Sequence, residues 1–155
     1  VATPSKQAVI ERYLHMTLNT LIVDDDEMVL KLLQQYLKDR EELSLQTVTT
    51  PGEALEIINR EKLHILILDI VLPEKDGITL LEEAKKVDPL THVIMISADS
   101  TLGRVIESLG YGAMDFVMKP FDSPADITEV VDVSIQRWQR WNQVLKQTAR
   151  KTLSE

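Results

Sequence analysis

Asp69 stands inside the apolar run HILILDIVLP, residues 64–73, and its setting demands a chemical explanation. Taking an ionised carboxylate out of water costs several kcal/mol unless a cation or hydrogen-bond donors surround it, so its partners must come from elsewhere in the chain. Three other apolar runs end in candidates. Asp24, Asp25 and Asp26 close TLIVDDD, Ser97 closes HVIMIS, and Lys119 follows DFVM. Acids gathered at one place repel one another and favour proton uptake unless a cation sits among them. Oxygen ligands without Cys or His select a hard ion, and Mg²⁺ binds through a few carboxylates while keeping waters and accepting a phosphate oxygen. Lys119 would then offer a point charge and Ser97 a hydroxyl to phosphoryl oxygens, supplying the positioning and charge neutralisation that phosphoryl transfer chiefly requires. The remaining oxygen of Asp69 is left as a nucleophile, and its product is an aspartyl phosphate.

The elements that must position these groups follow from periodicity. TLIVDDD reads as a strand, and Val29, Leu32, Leu33, Tyr36 and Leu37 then recur at the spacing of one helix face. LSLQTVTT alternates until Pro51-Gly52, after which Ala54, Leu55 and Ile58 mark a short helix with Pro in its first turn. LHILILDIVLP leads through a turn at Asp76-Gly77 into a helix bearing Leu80, Leu81, Ala84 and Val87, which stops at Pro89. HVIMISA precedes STLGRVIESLGYG, and DFVMKPF precedes a long final helix starting near Ser123-Pro124. Five strand–helix units of this kind predict an α/β fold with a doubly wound parallel sheet covered on both faces. Ligands in such sheets bind beyond the carboxyl ends of the strands, where all the reactive residues named above fall.

Taken in order and at their spacing, LIVDDDE, LILDIVLPEKDG, MISA and DFVMKPF resemble the receiver domain of bacterial two-component response regulators, over roughly residues 18–137. The resemblance implies a flavodoxin-like (βα)5 sheet of strand order 2-1-3-4-5, here with an extended C-terminal helix. It implies that Asp69 accepts phosphate from the phosphohistidine of a sensor kinase or phosphotransfer protein. Asp24, Asp25, Asp69 and the backbone carbonyl of Val71 would hold Mg²⁺. Ser97 maps onto the switch hydroxyl, Phe116 onto the switch aromatic, and Lys119 onto the family lysine, with Pro120 often following a cis bond. Such a domain is a signalling module that catalyses its own phosphotransfer and dephosphorylation, and it signals through the surface around its fourth helix, fifth strand and fifth helix. Here that surface involves residues near 100–110, Phe116, and 124 onward. Val71 and Asp99, each two positions beyond a reactive residue, are expected to tune phosphate lifetime. Departures from the pattern are mild: Phe116 stands where many members have Tyr, and Lys75 where an apolar residue is usual.

Composition bounds the remaining choices. With 155 residues, 44% hydrophobic and 27% charged, the chain suits one globular domain with a sizeable core. No apolar stretch reaches membrane-spanning length, no basic-then-apolar leader is visible, and there is no Cys, so a cytoplasmic protein is expected. Residues 1–135 hold 12 Lys/Arg against 24 Asp/Glu, a net −12, whereas 136–155 hold five against one, a net +4. The acidic body should repel nucleic acid, and the basic tail reads as the solvated face of a last helix. Ile127, Val131, Ser134, Trp138, Trp141 and Leu145 form a heptad-like seam on that helix, with Ser as its weak position. From 124 to 150 it would be about 40 Å long, so residues 138–155 are expected to protrude with Trp138 and Trp141 exposed, suited to a homodimer seam. Folding back onto the domain is the alternative. Residues 1–17 form an extension with weak helical period at Val9, Ile10, Tyr13 and Leu14.

Each residue also has a plainer explanation. Asp26 before Glu27 is expected to cap a helix, and isolated acids, Ser97 or Lys119 would be ordinary strand-end groups. Helix caps do not account for Asp69, which precedes Pro73. His15, His64 and His92 lack metal-ligand spacing, and Met16 after His15 argues against a phosphodonor histidine. Two other readings remain open. A haloacid-dehalogenase-like phosphatase would use Asp24 as nucleophile with Asp122 and Asp126 as late acids, and a receiver-like binding module would no longer turn over phosphate.

Overall fold

The apolar runs become five strands: β1 (Leu18–Val23), β2 (Leu43–Val48), β3 (Ile65–Asp69), β4 (His92–Ser97) and β5 (Asp115–Met118). Between and after them lie α1 (Glu27–Leu37), α2 (Pro51–Arg60), α3 (Gly77–Val87), α4 (Leu102–Gly110) and α5 (Ala125–Leu153). The computed structural model describes residues 3, 5–8, 11 and 17–154. The apolar positions Val9, Ile10, Tyr13 and Leu14 of the N-terminal extension, and His15, lie outside the described residues. The sheet is parallel in the order β2-β1-β3-β4-β5, the doubly wound arrangement expected. No described helix is long and apolar enough to cross a membrane.

Alternation along each central strand divides the core into two layers. Leu66 and Leu68 of β3 join Val93 and Met95 of β4 with Ala54, Ile57, Leu80 and Leu81 from α2 and α3. Ile65 and Ile67 join Ile94 and Ile96 with Leu30, Leu33, Ile127 and Val131 from α1 and α5. Burying a side chain such as Leu66 or Ile94 stabilises the fold by about 2 kcal/mol. Neither layer includes a residue of α4, whose only buried residue is Ser108.

Capping sets where the helices begin. Asp26 accepts from the Met28 amide, and Thr50 accepts from the Glu53 amide with Pro51 opening α2. Asp76 accepts from the Ile78 amide and opens α3 hard against the sheet. The Gly77 amide donates to the Ile70 carbonyl at 2.7 Å. A Cβ on Gly77 would lie 2.0 Å from the Asp69 carbonyl oxygen, so only glycine lets α3 start there. The backbone of Asp69 is thereby fixed by the helix that follows it.

The long helix departs from the sequence expectation in one respect. Trp138 is buried, at 8% exposure, while Trp141 is 60% exposed. The Trp138 indole N–H donates to the His64 carbonyl, and its ring packs against His64 and His92 at centroid distances of 4.9 and 5.1 Å. Ser134 is not a weak seam position but a polar anchor, its Oγ 2.7 Å from His92 Nδ1. The protruding-seam expectation therefore fails for Trp138, because the amino ends of β3 and β4 offer an indole-sized aromatic and hydrogen-bonding partner that heptad spacing does not reveal.

Candidate functional site

At the carboxyl ends of β1 and β3 the backbone leaves the sheet and brings Asp24 and Asp69 together. Both are buried, Asp24 with no exposure at all, and Asp25 beside them is exposed. One carboxylate oxygen from each of Asp24, Asp25 and Asp69 lies within 4.8 Å of the others. This is the one such cluster among the described residues, and neither Asp122 nor Asp126 belongs to it. Asp126 instead accepts from the Asp122 amide at 2.8 Å, close to the start of α5.

Lys119, carried past the end of β5, reaches into the cluster. Its Nζ donates to Asp24 Oδ2 at 2.7 Å and to Asp69 Oδ2 at 2.9 Å. The other oxygens are also engaged: Asp24 Oδ1 accepts from the Asp26 amide and Asp69 Oδ1, more weakly, from the Val71 amide. Burial raises the Asp24 carboxyl above its ordinary range, although the Lys119 hydrogen bond and charge pull it back. For Lys119, burial pulls the ammonium down, but its bonds to Asp24 and Asp69 outweigh this and hold it above its usual range. The ammonium is thus fixed as a cation between two acids. A buried charge pair of this kind is weak as a source of stability, because desolvation offsets most of the attraction.

The other expected residues lie at varied depth. Ser97 is fully buried; its Oγ accepts from the Asp99 amide at 3.0 Å and its carbonyl accepts from the Lys119 amide at 2.9 Å. One strand pairing therefore fixes both the hydroxyl and the lysine. Phe116 is half-buried against the α2/α3 layer, and Val71 is exposed. The Lys119-Pro120 peptide is cis. Lys75 is accounted for by an ion pair with Glu83, its Nζ 2.8 Å from the carboxylate. Glu74 beside it takes a left-handed conformation, φ 68°, in the turn before α3.

A second ionic group near the site was missed by the sequence reading. Arg104 of α4 pairs with Asp76 and lies 3.8 Å from both Asp99 and Glu107 carboxylates. A signal was present: Leu102, Ile106 and Leu109 share one helix face, which leaves Arg104 and Ser108, four apart, on the other.

Oxygen-only acids, a fixed ammonium and no soft ligand suit a hard divalent cation such as Mg²⁺. Comparison with known proteins agrees. The family model for the response regulator receiver domain matches residues 20–132. The chain is 37% identical over 106 residues to the transcriptional regulatory protein MalR of Bacillus subtilis, covering 68% of this chain and 45% of that one. It is 35% identical over 126 residues to a protein-glutamate methylesterase/protein-glutamine glutaminase 2 of Shewanella sp. (strain MR-4), covering 79% of this chain and 36% of that one. The chain thus spans less than half the length of these relatives. Among solved structures, a CheY-like receiver domain protein from Methanospirillum hungatei JF-1 superimposes with TM-score 0.75 at 31% identity, covering 80% of this chain and 98% of that one. Receiver domains bind Mg²⁺ at an acidic pocket, and Asp24, Asp25 and Asp69 form an acidic cluster here. The phosphatase alternative gives way to this assignment: the chain belongs to the response regulator receiver domain family of two-component signalling.

Proposed function

We propose that Asp69 is the phosphoacceptor of this receiver. Its carboxylate attacks the phosphorus of a phosphohistidine on a sensor kinase or phosphotransfer protein; the new O–P bond forms as the N–P bond breaks, and the imidazole leaves and takes up a proton. Asp24, Asp25, Asp69 and the Val71 carbonyl are the ligands proposed for Mg²⁺, which when bound neutralises phosphoryl charge. Lys119 holds Asp69 in place before transfer and then pairs with a phosphoryl oxygen. Ser97 gives its hydroxyl to another, releasing the Asp99 amide, while Phe116 repacks; together these bias the surface of α4, β5 and α5. Val71 and Asp99 stand where they control the water that ends the signal. The observation that carries this reading is the Lys119 ammonium shared between two buried carboxylates at the ends of different strands.

In the same reading residues 18–137 are the receiver proper, 1–17 an extension and 138–155 a C-terminal tail, in a cytoplasmic regulator. The surface around α4 controls an output partner or dimerisation through the C-terminal helix, without direct nucleic-acid binding by this segment. The test is incubation with acetyl phosphate and Mg²⁺, followed by intact mass and oligomeric state. One phosphoryl group is expected, labile in base, lost in Asp69→Asn and dependent on Mg²⁺. Labelling that persists in Asp69→Asn overturns the assignment.

A further inference from the structure

Helix α4 is held to the body in an unusual way. Three of its four apolar side chains, Leu102, Ile106 and Leu109, are 75%, 57% and 71% exposed, the fourth, Val105, is half-buried, and no α4 residue enters either core layer. Its buried residue, Ser108, donates its hydroxyl to the Arg104 carbonyl within the same helix. Thr101, at the amino end, makes no side-chain cap. Apolar burial ordinarily fixes a helix on a sheet, and here that fixing force is largely missing.

A polar contact takes its place. Arg104 spans two loops: its guanidinium pairs with Asp76, in the loop that follows Asp69, and faces Asp99, in the loop that follows Ser97. Glu107, one turn further along α4, is its third acidic neighbour. The bond to Asp76 holds the guanidinium firmly charged, above its usual range. Asp76 is itself tied down, since its Oδ1 caps Ile78 while Oδ2 takes Arg104. The loops that Arg104 joins are those carrying the phosphoacceptor and the switch hydroxyl.

We propose that Arg104 is a positioning residue, an ionic latch that clamps α4 and the Ser97 loop to the Asp69 loop and sets how readily α4 moves. The part of this proposal that concerns response to phosphorylation rests on Asp69 being the acceptor. Exposed ion pairs are individually weak. Where a helix has so little else to hold it, even a weak pair governs its opening.

The test starts with hydrogen exchange of the α4 amides in the full chain without any phosphodonor. Exchange should quicken about fivefold in Arg104→Met and equally in Asp76→Asn, with no further gain in the double variant. Asp76→Asn keeps the oxygen that caps Ile78, so a lost cap cannot mimic the result. Arg104→Lys should restore most of the protection, and added salt should speed exchange in the wild type but not in the variants, a response that a merely structural role would not give. Unmoved exchange, or additive effects of the two substitutions, overturns the latch. Binding of fluoroberyllate with Mg²⁺ then tests the coupling, with affinity expected about fivefold higher in both variants. Faster exchange with unchanged affinity overturns the coupling to Asp69. A wild type that does not bind fluoroberyllate overturns the acceptor assignment instead, and the exchange data then decide the latch alone.

Discussion

The two ends of the parallel sheet bury titratable groups in opposite ways. At the carboxyl ends of β1 and β3, Asp24 and Asp69 stay in contact with a cation, Lys119, in an arrangement that stores charge. At the amino ends, His64 and His92 are folded into an aromatic cluster with Trp138, where burial and cationic neighbours disfavour the charged form of His92. His64 Nδ1 accepts from the Asn19 amide, a bond that requires that nitrogen to be unprotonated. His92 is pushed down to about 4 by burial, with Arg137, Lys85, His64 and Lys62 adding repulsion. Burial alone therefore does not mark a reactive site. What distinguishes the acidic end is that two buried acids share one ammonium, an arrangement of little use to stability and suited to the phosphoryl transfer proposed above.

Breaking the compensation should have the largest effect. Lys119→Met removes the ammonium and leaves two neighbouring carboxylates, so phosphorylation by acetyl phosphate should slow by about 100-fold. The unbalanced acids should also make Mg²⁺ raise Tm more in this variant than in the wild type. A variant labelled at the wild-type rate would remove the contrast between the two ends. The aromatic end should respond in stability and not in chemistry. Trp138→Ala is expected to cost about 3 kcal/mol in urea unfolding, through the cavity left and the lost bond to His64, while the labelling rate of the folded fraction stays unchanged. A labelling defect there, with little loss of stability, would show that the two ends are not separable.

Legibility in the sequence followed the same division. The acidic end could be read because strand-terminal acids, a hydroxyl and a lysine are local signals, and parallel topology brings every strand terminus to one edge. The strand order, the acid cluster and the Asp26 cap agree with that reading. The aromatic end could not be read, since Trp138 meets His64 and His92 only through tertiary packing across 74 and 46 positions of chain. Heptad spacing described the helix itself correctly and its surroundings wrongly. Arg104 was hidden for another reason: an amphipathic helix is ordinarily read with its apolar stripe inward, and α4 is turned the other way.

The smallest expected effect tests the aromatic end through pH. A histidine depressed in the folded state binds its proton more readily when unfolded. Its contribution is therefore fully present above the unfolded value near 6.5 and is lost as pH falls toward 4. The groups facing His92 are Ser134 at its Nδ1, the rings of Trp138 and His64, and the cationic side chains of Arg137, Lys85 and Lys62. None of these supplies a negative charge that would welcome the proton. Unfolding free energy should drop by about 1 kcal/mol between pH 7 and pH 5.5 from this residue. His92→Gln keeps a hydrogen-bonding group toward Ser134 without titrating, so the difference between its pH–stability curve and that of the wild type isolates the histidine. Coincident slopes would mean that His92 takes up its proton without resistance, and the amino end of the sheet would then resemble the carboxyl end in tolerating charge.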